Sequence, residues 1–204
     1  MYRTLLAVFL SAPVASVLAQ GTPEPALRNT LLLSAGRAYQ TNYGWPGTVV
    51  FLGLEHRLSP RSLFSLQPRL SYFRADTRSL EPDKQPGEKF AVGTVEALIA
   101  VRTSRHPERL ALRIETGPAF FAGRETTLYR YPGTYFNPDG TTTTLTDNEY
   151  RRETIRQFGF SLGVGLDVTL QNRFYLGAGL ESRTYLYFPG DILSAAVRVG
   201  YVLP

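Results

Sequence analysis

Apolar residues occupy every second position over a long stretch in the second half of the chain. Polar or small residues fill the positions between them, as at Gln157, Gly163 and Asp167. A period of two places the large side chains on one face of a β-strand, whereas a helix would scatter them round its circumference. The stretch therefore predicts a strand. Its apolar members are Phe158, Phe160, Leu162, Val164, Leu166 and Val168.

The same period recurs along the chain and predicts an all-β fold. Most segments exceed the roughly five or six residues usual in soluble sheets, and they suit the roughly nine to eleven tilted residues with which a strand crosses a bilayer. Eight strands are predicted, at residues 28–39, 47–58, 62–75, 89–103, 109–122, 152–169, 173–187 and 191–203. Beyond the N-terminus, no run of apolar residues is long enough to form a transmembrane helix. The pattern therefore predicts an eight-stranded antiparallel up-and-down transmembrane β-barrel.

The connections between these segments alternate in length. Short turns follow the second, fourth and sixth strands, and longer polar connections follow the first, third and fifth, at residues 41–46, 77–88 and 123–151. The seventh connection is short and breaks the alternation. In a meander, all three short turns lie at one end and the long loops at the other, which is typical of transmembrane barrels with periplasmic turns and outer loops.

The N-terminus resembles a secretory signal peptide. Arg3 precedes an apolar run from Leu5 to about Val17, and Val17-Leu18-Ala19 fits a cleavage site before Gln20. The run is shorter than the roughly 20 residues that a membrane-anchoring helix needs. We therefore expect a signal peptide at residues 1–19, a short Pro-containing stub at 20–27 and the barrel at 28–204.

Alternation alone leaves open which face is inside, because a soluble barrel also alternates with its apolar face inward. Here the polar faces lack lysine and are rich in small glycines, which suits a narrow interior filled by few side chains. Aromatic residues near the ends that meet the longer connections predict a girdle at the outer interface. These aromatics are Tyr39, Tyr43, Trp45, Tyr72, Phe73, Phe90, Phe121, Tyr185, Tyr187 and Phe188.

On this assignment, eleven charged residues point into the barrel: Glu55, Arg57, Arg69, Glu96, Arg102, Arg113, Glu115, Asp167, Glu181, Arg183 and Arg198. Counting from the short-turn end places Arg69, Glu96, Arg113 and Glu115 at similar depth on three consecutive strands. Glu181 and Arg198 are expected to face each other across the last strand pair. An interior too narrow for a water-wide pore requires such charges to be paired. We interpret Arg69, Glu96, Arg113, Glu115, Glu181 and Arg198 as a structural charge network. The alternative is a proton path or a substrate site.

The longest connection has a pattern of its own. Large aromatics that stand in water gain nothing unless they pack on each other or on a partner. They precede the turn Asn137-Pro138-Asp139-Gly140, and a threonine-rich run follows it, so this loop is predicted to project as a hairpin. The candidate binding residues are Tyr129, Tyr131, Tyr135 and Phe136.

Few residues are of the types and spacings that form catalytic or metal-binding sites. Cysteine is absent, and the two histidines, His56 and His106, have no partner at metal-ligand spacing. The acids Asp139, Asp147 and Glu149 show no ordered calcium-ligand pattern. The net charge of +5 is spread along the chain rather than gathered in a patch. We therefore expect no catalytic site, metal or cofactor, and no nucleic-acid partner.

With these features the chain resembles the small outer-membrane β-barrels of the OmpA/OmpX type and the related outer-membrane β-barrel domain proteins. The resemblance spans about Leu27 to Leu203 and includes a closing strand whose alternate residues, from Ala195 to Leu203, face lipid. It implies a bacterial outer-membrane location, contact with membrane lipid, and recognition by the barrel-assembly machinery during insertion. Such families end on an aromatic residue, whereas this chain ends Tyr201-Val202-Leu203-Pro204. Tyr201 and Leu203 are then expected to serve as that signal.

The expected function is that of a non-enzymatic outer-membrane barrel with a filled lumen, acting as a structural or surface-interaction protein through its long loops, above all residues 123–151. One alternative is a soluble periplasmic barrel that binds an apolar ligand. A second is a lipid-modifying barrel enzyme, although both histidines map to the end opposite to the catalytic groups of such enzymes.

Overall fold

The computed structural model describes residues 29–59, 62–75, 88–105, 109–170, 173–187 and 190–203. These residues form ten strands: β1 (Asn29–Gln40), β2 (Trp45–Arg57), β3 (Phe64–Ala75), β4 (Lys89–Arg102), β5 (Ala111–Arg130), β6 (Gly133–Phe136), β7 (Thr142–Leu145), β8 (Glu149–Leu170), β9 (Phe174–Tyr185) and β10 (Asp191–Val202). The described part of the chain holds no helix long and apolar enough to span a membrane. The predicted signal peptide and stub at residues 1–27 lie outside the described residues and stay predictions.

Eight of the strands close into one antiparallel barrel. Sequential strands are neighbours throughout, with β5 beside β8, and β1 pairs with β10 to close the ring. The closing register sets Leu33 opposite Val199 and Ala35 opposite Val197. The predicted eight-stranded up-and-down barrel is confirmed. Seven of its strands match the predicted ranges to within three residues, and β5 is longer than predicted.

The two strands that flank the longest connection are longer than predicted. β5 continues to Arg130 and β8 begins at Glu149, so residues 123–130 and 149–151 of the predicted connection are a paired extension of the barrel wall. Sequence periodicity missed this extension because both of its faces are polar or half-exposed. Beyond it, β6 and β7 pair as a separate hairpin.

The turn of this hairpin follows from its residues. The carbonyl of Asn137 accepts a hydrogen bond from the amide of Gly140 at 3.0 Å, and the amide of Asn137 donates to the carbonyl of Thr141 at 2.8 Å. Gly140 has a φ of +80°, which glycine adopts without steric cost. A turn followed by a residue of positive φ is a common way to join two antiparallel strands.

The connection after β1 is shorter than predicted. Trp45 is already the first residue of β2, so only Thr41 to Gly44 form the turn. Gly44 has a φ of +66°, which lets four residues reverse the chain. The prediction of a long polar connection at residues 41–46 was therefore wrong. Most of the predicted connection at 77–88 lies outside the described residues.

The outer face of the barrel is apolar and the inner face carries the charges. Phe158, Phe160, Leu162, Val164 and Leu166 are all exposed on β8, with Leu162 at 55%. The intervening Gly159, Ser161, Gly163 and Asp167 are buried. A barrel that shows aliphatic side chains on every strand's outer face and buries arginine and glutamate inside suits lipid rather than water.

Half of the predicted aromatic girdle points the wrong way. Trp45, Phe73, Phe90, Phe121 and Tyr185 are buried inside the barrel. The prediction grouped aromatics by nearness to strand ends and overlooked the alternation of faces, which turns Phe73 inward beside an outward Tyr72. Phe188 lies outside the described residues. Four members of the predicted girdle are exposed: Tyr39, Tyr43, Tyr72 and Tyr187. Phe120 and Phe158, which the prediction did not include, also occupy outward positions near the long-loop end.

We predict that Leu162→Arg destabilises the barrel. If Leu162 lies near the bilayer midplane, a guanidinium there should cost about 2–4 kcal/mol. The measurement is the free energy of unfolding in urea after reconstitution into lipid vesicles. Thr142→Arg, on an exposed position of β7, is the control and should change little. Equal tolerance of both substitutions would show that the outer face of β8 does not contact lipid.

Candidate functional site

The barrel interior holds ten buried charged residues in addition to Glu125, which lies near the long-loop end of β5. They balance in number, five guanidinium groups against five carboxylates. The arginines are Arg69, Arg102, Arg113, Arg183 and Arg198, and the acids are Glu55, Glu96, Glu115, Asp167 and Glu181. All occupy inward positions of the period-two pattern. Arg57, also assigned to the interior, is half-buried at the short-turn end of β2.

Arg69 on β3 joins three strands across the interior. Its Nε donates to Oε2 of Glu96 at 2.6 Å, and its Nη2 donates to Oε1 of the same carboxylate at 3.1 Å. Its Nη1 donates to Oε1 of Glu115 at 2.9 Å and to Oε1 of Glu181 at 3.0 Å. One guanidinium thus binds carboxylates from β4, β5 and β9, using the fork of donors that only arginine offers.

Arg198 on β10 binds two of the same carboxylates. Its Nη2 donates to Oε1 of Glu115 at 2.7 Å and to Oε1 of Glu181 at 2.6 Å. Its Nη1 donates to Oε2 of Glu115 at 2.8 Å. In strand register Glu181 lies opposite Ser194 and Arg198 opposite Gly177. The two charged groups meet because both side chains are long, not because the residues are register partners.

Arg183 is a member that the six-residue prediction left out. Its Nε donates to Oε1 of Glu96 at 3.1 Å, its Nη1 donates to Oγ of Ser194 at 3.1 Å, and its Nη2 donates to Glu181. Ser161 also donates to Glu96. The sequence had placed Arg183 inside the barrel, and its spacing of two from Glu181 was the available signal that the two share a face.

Arg113 organises a second group nearer the short-turn end. Its Nη1 donates to Oε2 of Glu55 at 2.7 Å, and its Nε donates to Oε2 of Glu115 at 3.1 Å. Asp167 lies 3.6 Å from the same Nη1. Asp167 also approaches Nη2 of Arg102 at 2.7 Å without the angles of a hydrogen bond. Glu115 therefore connects the two groups.

Glu96 and Arg113 are not a facing pair, although counting placed them at similar depth. In register Glu96 lies opposite Ala119, and Arg113 lies opposite Arg102. Glu96 binds Arg69 and Arg183, whereas Arg113 binds Glu55 and Glu115. Counting assumed level strands, but barrel strands are tilted, so residues at equal distance from the turns lie at different heights.

Glycine makes room for this network at one point. A Cβ on Gly163 would lie 2.7 Å from Cγ of Glu115 and 2.9 Å from its Oε1. Real Cβ contacts are longer, so any side chain at this position would displace the carboxylate that Arg69, Arg113 and Arg198 share. The absence of a side chain at Gly163 is therefore a steric requirement of the Glu115 carboxylate.

Aromatic side chains fill the interior on the long-loop side of the charges. Phe51 lies between the two layers, with the guanidinium carbons of Arg69 and Arg183 at 4.9 and 4.4 Å from its ring centroid. Farther out, the Phe121 and Tyr185 rings lie 4.3 Å apart. In the same buried cluster, the Phe90 ring centroid lies 6.0 Å from that of Trp45 and 5.8 Å from that of Phe73. The interior thus has a charged layer covered by an apolar one.

Tyr43, in the turn after β1, covers this aromatic layer. Its ring stacks on Trp45 at 4.6 Å, and Oε1 of Gln40 accepts a hydrogen bond from its amide at 2.8 Å. Burial and the hydrogen bond to Glu125 raise the pKa of Tyr43 to about 12. The phenol therefore stays neutral at physiological pH and remains a donor to Glu125.

The four aromatics singled out in the long connection lie on or beside the projecting hairpin. Tyr129, Tyr131 and Phe136 are exposed, Phe136 at 85%, and Tyr135 is half-buried. Oη of Tyr135 donates to the carbonyl of Tyr131 at 2.6 Å. The guanidinium of Arg130 lies 4.9 Å from the Tyr129 ring and 5.3 Å from the Tyr135 ring. These contacts fix the ring positions without burying them.

The hairpin tip is held by polar side chains. Nδ2 of Asn137 donates to Oγ1 of Thr141 at 2.9 Å and to Oγ1 of Thr143 at 3.0 Å. Oδ1 of Asp139 accepts from the amide of Thr141 at 3.0 Å and from its hydroxyl at 2.7 Å. These bonds to the charged form lower the pKa of Asp139 below its ordinary value. The tip is therefore an ordered turn.

The residues considered for chemistry lie apart. Nδ1 of His56 is 2.7 Å from Oδ1 of Asn29 at the short-turn end, and His106 lies outside the described residues. Across the described ranges, no group of three or more histidine, aspartate or glutamate side chains could hold a metal ion. The arrangement described here thus consists of paired charges, packed aromatics and an exposed hairpin.

No protein-family model matches the sequence, and comparison with curated protein sequences gives no significant match. Solved structures do match in fold. The N-terminal β-barrel domain of Pseudomonas aeruginosa OprF aligns with a TM-score of 0.52 at 13% identity, covering 87% of this chain and 100% of that one. Neisserial surface protein A aligns with a TM-score of 0.56 at 10% identity, covering 86% and 97%.

Ail, the attachment invasion locus protein of Yersinia pestis, aligns with a TM-score of 0.54 at 13% identity in its complex with the heparin analogue sucrose octasulfate, covering 87% of this chain and 99% of Ail. At these identities the likeness shows the fold. The comparisons and the apolar outer surface show that this chain has the fold of the small eight-stranded bacterial outer-membrane β-barrels.

Proposed function

We propose that this chain is an outer-membrane surface barrel: the β6–β7 hairpin contacts a partner outside the cell, and the charged interior is structural. The observation that carries the proposal is the pairing of β5 with β8 out to Arg130 and Glu149, which supports the hairpin beyond the barrel. This extension supports a role in adhesion or recognition more directly than it supports a role in transport.

The exposed aromatics support a binding surface. Phe136 is exposed at the end of β6, and Tyr129 and Tyr131 are exposed below it. Such side chains are costly to keep in water and are enriched where proteins meet partners. Because the hairpin is already ordered by its own hydrogen bonds, binding would lose little conformational entropy.

Charge next to these aromatics suits a polar partner. Arg130 and Glu149 lie 3.8 Å apart, and Arg151 pairs with Glu153 at 2.7 Å on the exposed part of β8. Ail, which shares the fold, has been solved with a sulfated ligand. A sulfated or acidic glycan is therefore the first ligand class to test here.

The interior is best explained as filling that stabilises the closed barrel. Its ten charges balance, and Arg69, Arg183 and Arg198 each bind carboxylates from other strands. The aromatic layer separates them from the long-loop end. Burial of this kind tolerates charge only when it is paired, and offers no continuous wide passage for a solute.

Insertion by the barrel-assembly machinery and removal of residues 1–19 remain part of the proposal. A soluble periplasmic barrel, the first alternative, would be released with the periplasm and would show no heat-modifiable mobility. The second, a lipid-modifying enzyme, would need nucleophilic or acid–base groups on the outer surface near the long-loop end. Fractionation followed by gel electrophoresis of heated and unheated samples separates the membrane barrel from the soluble one.

We predict that Phe136→Ser abolishes binding by the hairpin while leaving the barrel folded. The measurement uses the purified barrel in lipid nanodiscs on an array of sulfated, acidic and neutral glycans. Tyr187→Ser is the matched control, because Tyr187 is 86% exposed in the connection after β9 and away from the hairpin. The proposal fails if the unaltered barrel binds nothing on the array, or if both substitutions weaken binding equally.

We predict strong energetic coupling between Glu55 and Arg113. Arg113→Met leaves the buried carboxylate of Glu55 without this guanidinium and should cost about 3–5 kcal/mol. Glu55→Gln should cost less, because Arg113 keeps its pairing with Glu115. The double variant should recover about 1–3 kcal/mol of the summed loss. Unfolding in urea in lipid vesicles gives the four free energies of the cycle.

Arg151 and Glu153 form the matched control for this cycle. Their closest atoms are 2.7 Å apart, the same distance as between Arg113 and Glu55, but both side chains are largely exposed. The cycle of Arg151→Met and Glu153→Gln should give a coupling of about 0–1 kcal/mol. Equal coupling energies in the two cycles would show that burial does not strengthen the interior ion pair. Normal stability with loss of a transport activity would overturn the structural role.

A further inference from the structure

Four basic side chains face outward just beyond the aromatics of the barrel's outer face. Arg74 lies two residues past Tyr72 on β3, and Arg156 lies two residues from Phe158 toward the long-loop end of β8. Arg124 lies four residues past Phe120 on β5. Lys89 begins β4. All four are exposed, and each occupies an outward position of its strand. We call Arg74, Lys89, Arg124 and Arg156 the basic arc.

The register makes these residues neighbours. Ala91 on β4 lies opposite both Arg74 and Arg124, so Lys89, two residues from Ala91, is a diagonal neighbour of each. Arg124 lies opposite Thr154, which makes Arg156 its diagonal neighbour on β8. Diagonal neighbours on adjacent strands are about 7–8 Å apart. The arc is therefore a continuous run of four positive charges across four adjacent strands.

Among the described residues of β3, β4, β5 and β8, no acidic side chain shares the outward face of the arc. No ion pair within the described ranges reaches any of the four basic groups. Three described acids at this end of the barrel have other surroundings: Glu125 is buried on the inner side, Glu88 accepts from the amide of Leu128 at 3.1 Å, and Glu153 pairs with Arg151. Four like charges this close repel one another unless an anion binds them.

The arc occupies one side of the barrel. At the corresponding ends of β9 and β10 the outward residues are Ser182, Thr184, Asp191 and Leu193, with no basic side chain among them. On β1, Arg37 is outward and exposed, but it lies two residues nearer the short-turn end than Tyr39, and its register partners are Ala195 and Thr48. A general interfacial anchor would surround the barrel. A one-sided arc above Tyr72, Phe120 and Phe158 suits a ligand with anionic groups at its head and apolar chains below.

The geometry points to a bound lipid: the basic arc holds the phosphate groups of a phosphorylated glycolipid in the outer leaflet, while its acyl chains lie along the apolar faces of β3, β4, β5 and β8. Arginine provides two parallel donors to a phosphate, and an outward position lets Lys89 reach the same groups. The inference rests on the proposed membrane orientation, in which the long-loop end faces outward. It deepens that proposal by naming the lipid partner.

The test compares lipids that differ only in phosphate. The full barrel is reconstituted in nanodiscs with bisphosphorylated lipid A or with dephosphorylated lipid A of the same acyl chains, and lipid that stays bound is measured by native mass spectrometry. We expect a preference for the phosphorylated form of at least about tenfold. The triple variant Arg74→Gln, Arg124→Gln and Arg156→Gln should lower the preference to within about twofold.

A matched variant removes the same charge from the opposite end. Arg105, Arg109 and Arg173 are exposed beside the short turns, so their triple change to Gln should leave the lipid preference intact. Heat-modifiable mobility checks the fold of both variants. The inference is overturned if the unaltered barrel shows no preference, if both triple variants lose it equally, or if free inorganic phosphate binds the arc as tightly as the lipid does. Phe136→Ser should keep the preference, which separates failure of this inference from failure of the hairpin proposal.

Discussion

Closure of the sheet is the constraint on which the rest of this structure depends. In hydrocarbon every backbone amide and carbonyl needs a partner within the protein, so a sheet can cross a membrane only when its first and last strands pair. Here β1 and β10 do so along almost their full length. Eight strands then fix a narrow interior, and the inward side chains have to fill it in mutually compatible positions.

The interior meets this requirement in two layers of different chemistry. Nearer the short turns, charge is balanced by groups such as Arg69, which binds three carboxylates, and space is adjusted by Gly163. Nearer the long loops, Phe51 leads from guanidinium groups to packed aromatic rings. The outer face repeats a simpler order, with aliphatic residues in the middle and aromatic then basic residues toward the long-loop end.

The alternation of residue types was enough to predict the fold, because a period of two fixes both the strand and its faces. It assigned Glu55, Arg69 and Arg183 to the interior without any structure. It did not give the partner of Glu96, since strand tilt and shear shift residues of equal count to different heights. It also missed residues 123–130 of β5 and 149–151 of β8, where polar or half-exposed residues on both faces remove the pattern. Half of the predicted aromatic girdle was wrong because the position of a residue along a strand does not determine which face of the strand it occupies.

The contact between Arg69 and Glu181 joins residues that are 112 positions apart in the chain. Neither β3 nor β9 can satisfy these charges alone, and in an open sheet both groups would sit against lipid or water without each other. Completion of the ring therefore adds the ion pairs that cross the interior to those that neighbouring strands make. A partly closed barrel lacks the crossing pairs and holds incompletely paired ions in a medium that cannot solvate them, so the charge network favours concerted closure once the chain leaves the aqueous phase.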